Sequence, residues 1–395
     1  MRPIGGLVTG HIGDKHGRKK ALVFSLFCMS IPTVALGLLP TYASVGGWST
    51  ALLIICRMLQ GFSVGGQLPS TLVYTLERKP REKWGYYGSF VNFAANFGVI
   101  LGNLVGALIR QLVTPEQLEE WGWRAAFLSG VAILPVAVYL KLCGKEHHPN
   151  EGHYEDDSTS SAALSESQRK HPLREAVKRE NWLALSSSIL VPMLYGGGYY
   201  LSVVWMAIYM SEIIHPPVPG SFWVNLAANV FGVTLTSFFT GWLSDRVGRI
   251  KLMSFGAICT GILAPIMIWL ISESGGKVAE ALFAQLCLTF FFSFYAGPFS
   301  AWLVERFPVK IRLTSVSLGF NIGICISSGF SPALATWLVR ISSFTPGFIF
   351  TAFALLGLLG MFLSTKVHTD GGVHEDDASE GKLTAIEDDL STALL

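Results

Sequence analysis

Gly10-His11-Ile12-Gly13-Asp14-Lys15-His16-Gly17-Arg18-Lys19-Lys20 and, 231 residues later, Gly241-Trp242-Leu243-Ser244-Asp245-Arg246-Val247-Gly248-Arg249-Ile250-Lys251 repeat one pattern at the ends of apolar runs. In each copy an acid, a base, a glycine and an arginine stand between two apolar segments. That order describes a very short turn between two membrane helices, with a fixed charge pair in the turn. A phrase of this kind repeated across two halves marks a duplicated membrane bundle, the organisation of secondary transporters whose site lies between the halves.

Composition agrees with a membrane chain. Of 395 residues, 51% are hydrophobic and 14% charged, against about 25% charged in an average soluble protein, and the mean hydropathy is +0.46. The net charge of +2 conceals segregation, because lysine and arginine fall in a few short stretches between long uncharged runs. This pattern argues against nucleic-acid binding. The six cysteines are scattered without a paired spacing and read as packing residues.

Runs of about 20 mostly apolar residues predict ten spans: 21–39, 50–76, 85–108, 123–142 and 182–210 in the first group, then 222–243, 252–271, 278–303, 315–338 and 344–365. Residues 1–12 form an incomplete eleventh, so the chain is expected to begin partway through a helix, and nothing in it resembles a signal peptide. Loops 13–20, 77–84, 143–181, 244–251 and 305–312 are rich in lysine and arginine, which assigns them to the cytoplasm. The expected division is an incomplete N-terminal lobe over 1–142, a cytoplasmic linker over 143–181, a C-terminal lobe over 182–366 and a disordered tail over 367–395. His147, His148 and His153 lie in the low-complexity linker with no defined ligand geometry, so no metal site is expected.

The two hairpin phrases resemble the signature of the major facilitator superfamily. Four further stretches are similar to its metabolite:H+ symporter branch: Arg2-Pro3-Ile4-Gly5-Gly6, Arg57-Met58-Leu59-Gln60-Gly61-Phe62-Ser63-Val64-Gly65-Gly66, Gly85-Tyr86-Tyr87-Gly88-Ser89-Phe90 and Glu305-Arg306-Phe307-Pro308-Val309-Lys310-Ile311-Arg312. The resemblance covers residues 1 to about 366. It implies an all-α membrane protein, a bundle of two pseudo-symmetric six-helix lobes that here lacks the first helix and part of the second. It also implies a carrier of organic acids, proline or betaines working by alternating access, as a monomer, without a prosthetic group. The plasma membrane is the expected location and an organelle membrane the alternative.

Individual residues follow. Asp14, Arg18, Asp245 and Arg249 are candidates for a cytoplasmic latch between the lobes, the alternative being that they only fix topology and cap helices. Glu77 and Glu305, each three residues before a proline (Pro80 and Pro308), form a second echo at the next hairpin and are candidate partners there, as is Arg312. Arg57 falls inside a span, where an arginine costs at least about 2.5 kcal/mol unless it finds water, backbone or an acid. It is expected to face inward, serving proton linkage or an anionic substrate, or else to snorkel. Gln67 stands where the branch commonly has glutamate, and no carboxylate remains at membrane depth in the predicted spans. Proton coupling is therefore implied by the resemblance alone, with uniport or a transport-inactive receptor as alternatives.

Candidate substrate contacts are the polar residues of the spans: Asn92, Asn96, Asn103, Tyr195, Tyr199, Tyr200, Asn225, Asn229, Gln285, Tyr295 and Asn321. Asn92 and Asn96 share a helical face, as do Asn225 and Asn229, which suits either a common cavity or interhelical hydrogen bonds. Gly196-Gly197-Gly198 suits a bending gate or close packing. No metal cluster, catalytic dyad or phosphate motif points to an enzyme.

Overall fold

The computed structural model describes residues 1–144, 181–309 and 311–370. Most of the expected linker, its three histidines, and the tail from 371 onward lie outside the described residues, as does the side chain of Asn103. Eleven long helices follow one another: α1 Arg2–His16, α2 Arg18–Gly37, α3 Gly47–Leu76, α4 Trp84–Leu112, α5 Glu120–Cys143, α6 Trp182–Ile213, α7 Ser221–Val247, α8 Arg249–Glu273, α9 Val278–Glu305, α10 Arg312–Leu338 and α11 Gly347–Asp370. Ten of them are long and apolar enough to cross a membrane. Large apolar side chains such as Ile54, Phe97, Phe231, Ile262 and Phe283 point outward along them, as a lipid solvent requires.

Prolines lie inside α2, α3, α6, α8, α9 and α10 (Pro32, Pro69, Pro192, Pro265, Pro298 and Pro332). Membrane helices tolerate them because neighbouring helices, hydroxyl side chains and local changes of pitch satisfy the freed backbone groups. Three helices contain π turns: α5 at its start, Leu118–Gly122, α6 at Leu201–Trp205 and again at Tyr209–Ile213, and α7 at Asn229–Leu235. The triple glycine precedes the first π turn of α6 and is itself regular α-helix. A Cβ on Gly196 would come within 2.7 Å of Ser328 Oγ, on Gly197 within 2.3 Å of a Phe353 ring carbon, and on Gly198 within 2.8 Å of a Phe292 ring carbon. Three neighbours thus use the three bare positions, and the departure from α geometry begins where they end.

The repeat governs how the halves meet. Helix α1 packs on α10, and α7 packs on α4. Shifting α1 by the repeat distance gives α7, and the same shift from the first helix of each seam carries Gly10 onto Gly241. A Cβ on Gly10 would lie 2.7 Å from Thr314 Cα, and one on Gly241 2.7 Å from the Gly85 carbonyl oxygen. Both seams are backbone-to-backbone contacts that only glycine permits. The hairpins match as well, with Gly17 at φ 109° and ψ 146° and Gly248 at φ 101° and ψ 138°. Side chains rarely adopt this conformation. Gly248→Ala, which has open space around it, is expected to cost about 1–3 kcal/mol through backbone strain alone. Thermal unfolding in detergent checks this, and an unchanged midpoint would count against it.

Candidate functional site

At the face that the basic loops assign to the cytoplasm, each hairpin aspartate binds the start of a helix from the opposite half. Asp14 accepts hydrogen bonds from the backbone N–H groups of Leu313 (3.2 Å) and Thr314 (2.8 Å), the second and third residues of α10. Asp245 accepts from those of Gly85 and Tyr86, both at 2.8 Å, the second and third residues of α4. These N–H groups have no intrahelical partner, and the helix dipole adds positive charge there. A carboxylate brought from the other lobe satisfies both. The charged phrases point to the aspartates as latch candidates, but the partners these find across the lobes are not side chains. The helix ends that take that place are invisible in a pattern of charges.

The arginines hold the carboxylates in place. Arg18 pairs with Asp14 one turn earlier and with Glu77 at 3.1 Å, and donates to the Val309 carbonyl at 2.7 Å. Arg249 pairs with Asp245 at 3.1 Å and lies 2.7 Å from a Glu305 oxygen, and donates to the Arg81 carbonyl at 3.1 Å. The two sets correspond member by member, Glu77 to Glu305 and Arg81 to Val309. They differ at the first residue of the capped helix, which is Arg312 in α10 and Trp84 in α4. Arg312 adds a second ion pair to Glu77 at 2.9 Å, and its guanidinium lies 5.5 Å from the centre of the Trp84 ring. The two non-equivalent residues therefore meet each other, in a cation–π contact. The set around Asp14 is also the drier one: Asp14 and Arg18 side chains are 1% exposed, against 10% and 16% for Asp245 and Arg249.

Deeper in the bundle the predicted residues separate into groups. Asn321 donates to the Gly65 carbonyl at 2.7 Å and accepts from Arg2 Nε at 3.0 Å, and the Arg2 guanidinium lies 5.8 Å from the Phe320 ring centre. Arg2 was not among the residues singled out. Its signal was an arginine at the head of a helix whose other end carries the latch, about half a membrane away at 1.5 Å per residue. Asn92 is buried between α4 and α9, donating to the Ala296 carbonyl at 3.0 Å and accepting from Ser300 at 2.9 Å and Tyr195 at 3.4 Å. Tyr195 stacks on Phe299 with ring centres 4.2 Å apart. Arg57, expected to turn inward, is exposed: it donates to Gln60 Oε1 at 3.3 Å and lies 5.6 Å from the Phe127 ring centre. The inward position on that turn belongs to buried Gln60, which donates to Thr33 Oγ1 at 2.9 Å. Gln67 is half-buried, and its carbonyl accepts from Thr71 at 2.8 Å. Tyr295 donates to the Val191 carbonyl at 2.6 Å inside the C-terminal core.

Asn96, Tyr199, Asn225 and Asn229 do come together. They line a cavity of about 260 Å³ between α4, α6 and α7, with Val99, Val203, Phe222, Val233 and Thr234 among its other walls. Two of the π turns face this space, since Val203 belongs to Leu201–Trp205 and Asn229, Val233 and Thr234 to Asn229–Leu235. Such turns are frequent at functional sites. No charged residue lines the cavity among the described residues. The size suits a small metabolite, and polar groups placed on apolar walls are the usual make-up of a small-molecule site.

A multi-pass bundle of repeated halves, locked at one face by reciprocal charged caps and holding a small cavity with a few polar groups on apolar walls between helices of both halves, defines a membrane carrier. A profile of the Major Facilitator Superfamily matches residues 3–308 and 189–388, and the chain belongs to that family. It is 32% identical over 362 residues to the proline/betaine transporter of Salmonella typhimurium, covering 91% of this chain and 71% of that one. It is 30% identical over 367 residues to the glycine betaine/proline/ectoine/pipecolic acid transporter OusA of Dickeya dadantii, covering 92% and 72%. Its fold is similar to that of the proton:xylose symporter XylE from E. coli, with a TM-score of 0.71 at 19% identity over 92% of this chain and 83% of that one. The protein is an integral, multi-pass secondary transporter of small solutes and not an enzyme.

Proposed function

We propose that this carrier moves a small zwitterion, a carboxylate with an ammonium in the manner of proline or a betaine, by alternating access between 1–142 and 182–366 as two rocking lobes. The observation that carries the reading is the cavity between α4, α6 and α7, with Asn96, Tyr199, Asn225 and Asn229 as its polar contacts. The substrates named for its relatives support the solute class. Arg2, Asn321, Asn92 and Tyr195 form the neighbouring contacts between helices of the two lobes, and Arg2 is the one cation among them. Asp14, Arg18, Glu77, Arg312, Asp245, Arg249 and Glu305 form the gate, which is closed in this structure. Rocking toward the cytoplasm must release both aspartates from α10 and α4 together. A bundle with two such discrete arrangements is bistable rather than continuously deformable.

Coupling to protons is the mode expected from the branch the sequence resembles. One observation favours uniport instead: among the described residues, every Asp and Glu lies within about one turn of a helix end or in a connecting segment. Proteoliposomes separate these readings. Labelled proline or glycine betaine is expected to enter and, with an acid exterior, to accumulate above its external concentration. Equilibration without accumulation would establish uniport, and uptake of neither solute would overturn the solute class.

A further inference from the structure

Arg2 is a guanidinium built into the seam between the lobes with part of its hydrogen-bonding capacity unspent. It stands roughly 18 Å along α1 from Asp14 at 1.5 Å per residue, a depth at which an arginine is costly unless water, backbone or an acid receives it. Its Nε donates to Asn321 Oδ1 at 3.0 Å. The orientation of that amide is fixed, because Asn321 Nδ2 donates to the Gly65 and Ser317 carbonyls, both at 2.7 Å. The Phe320 ring centre lies 5.8 Å from the guanidinium carbon. Gly65 leaves the space that the Arg2 carbonyl occupies, since a Cβ there would collide with it. Both ends of the residue are thereby held, by helices α3 and α10.

The far edge of the guanidinium is not. Neither Nη1 nor Nη2 hydrogen-bonds to a described residue, and neither is sealed from open space. Among the described residues no carboxylate pairs with Arg2, while Tyr195 and Tyr200 of α6 and Cys325 of α10 lie within its electrostatic reach. These tyrosines stand on the same stretch of α6 as Tyr199, which lines the cavity. With Nε engaged, the edge that remains is the Nη1–Nη2 pair, whose N–H groups match the two oxygens of a carboxylate. An arginine held in place with that edge free is a receptor for a planar anion, a geometry that the point charge of a lysine does not reproduce.

We infer that Arg2 is the carboxylate-binding residue of this carrier, gripping both carboxylate oxygens of the solute end-on through Nη1 and Nη2 while Asn321 holds Nε. An amide or a hydroxymethyl group in place of the carboxylate brings no charge and one oxygen, and leaves the guanidinium half unpaired. A site built to hydrogen-bond one group discriminates strongly against the analogue that lacks it. The inference rests on the zwitterion reading above and deepens it, by naming the side chain that takes the negative end of the solute.

The test uses matched pairs that differ at the carboxylate: proline with prolinamide, and glycine betaine with choline. Cyclopentanecarboxylate, which keeps the carboxylate and lacks the ammonium, is a further probe. Binding to the purified full chain is followed by thermal stabilisation in detergent. The carboxylate member of each pair is expected to bind about tenfold more tightly or better. In Arg2→Gln that ratio should fall toward one through loss of the carboxylate member alone, whereas a merely structural loss would weaken both members equally. Arg2→Lys keeps the charge without the fork, and its ratio should fall about threefold or more below that of the unsubstituted chain; it carries the test where Arg2→Gln does not fold. A ratio unchanged by the substitution, stabilisation by chloride equal to that by the carboxylates at the same concentration, or no stabilisation by any of the three carboxylates would overturn the inference. Proline and glycine betaine bound no more tightly than cyclopentanecarboxylate, with all three dependent on Arg2, would overturn the zwitterion reading alone.

Discussion

Glu77→Ala is expected to be the most damaging single substitution in this chain outside the solute cavity. Glu77 is 7% exposed and holds Arg18 at 3.1 Å and Arg312 at 2.9 Å. Removing it leaves Arg18 with Asp14 and the Val309 carbonyl, and Arg312 with the Phe307 carbonyl but no carboxylate among the described residues. Breaking one buried ion pair by deleting a partner costs about 3–5 kcal/mol, because the remaining charge stays desolvated. Here the cost falls on the closed gate, since Arg312 belongs to α10 and Arg18 to the hairpin after α1. The population should therefore move toward states open at the cytoplasmic face. In a background freed of native cysteines, Val304→Cys, fully buried near that face, should be alkylated from the cytoplasmic side at least tenfold faster when Glu77 is alanine. Equal rates would refute a gating role. Glu305→Ala should have a smaller effect, because Glu305 faces Arg249 without hydrogen-bond alignment and is 19% exposed.

Gly10→Val and Gly241→Val are expected to stop transport for a different reason. The closest neighbour of a new Cβ at Gly10 is backbone, Thr314 Cα at 2.7 Å, and at Gly241 the Gly85 carbonyl is equally close. Backbone cannot turn aside as a long side chain can, so α1 would have to leave α10, and α7 leave α4. Overpacking typically costs about 1–3 kcal/mol, and here separation of the helices also lengthens the hydrogen bonds from Leu313 and Thr314 to Asp14, or from Gly85 and Tyr86 to Asp245. Uptake should fall at least tenfold at normal membrane abundance. Gly329→Val, where no atom lies within 4 Å of the new Cβ, serves as the control and should transport normally. Loss in all three alike would mean that glycine matters only for insertion or folding.

Much of this architecture is legible in the sequence because a membrane makes hydrophobicity an unusually direct code. Each expected span corresponds to an observed helix, and α1 runs four residues beyond the predicted 1–12 to His16. The paired hairpins stand out because two copies of a charged phrase in an apolar chain cannot arise from composition alone, and they mark the face where the proposed gate lies. Legibility ends at partners. Asn92 and Asn96 offered two readings and each takes one, Asn92 bonding α9 and Asn96 lining the cavity. Their spacing is the same as that of Asn225 and Asn229, which bond to each other. Arg57 was expected inward on cost, yet Gln60, three residues along, holds the buried position.

The sequence by itself determined the class of protein, the helices, the duplication and the charged residues of the two hairpins, because these depend on local apolar length and on a repeated pattern. Only the tertiary structure decided that Asp14 serves α10 and Asp245 serves α4, across 300 and 160 residues of chain. It also decided that Arg312 and Trp84, occupying equivalent places in the repeat, meet, and that Asn225, Asn229 and Gln285 of α7 and α9 bond to one another. Which hydrogen-bonding groups remain unspent depends on every neighbour a side chain finds, and those neighbours come from helices that the order of residues does not place beside it.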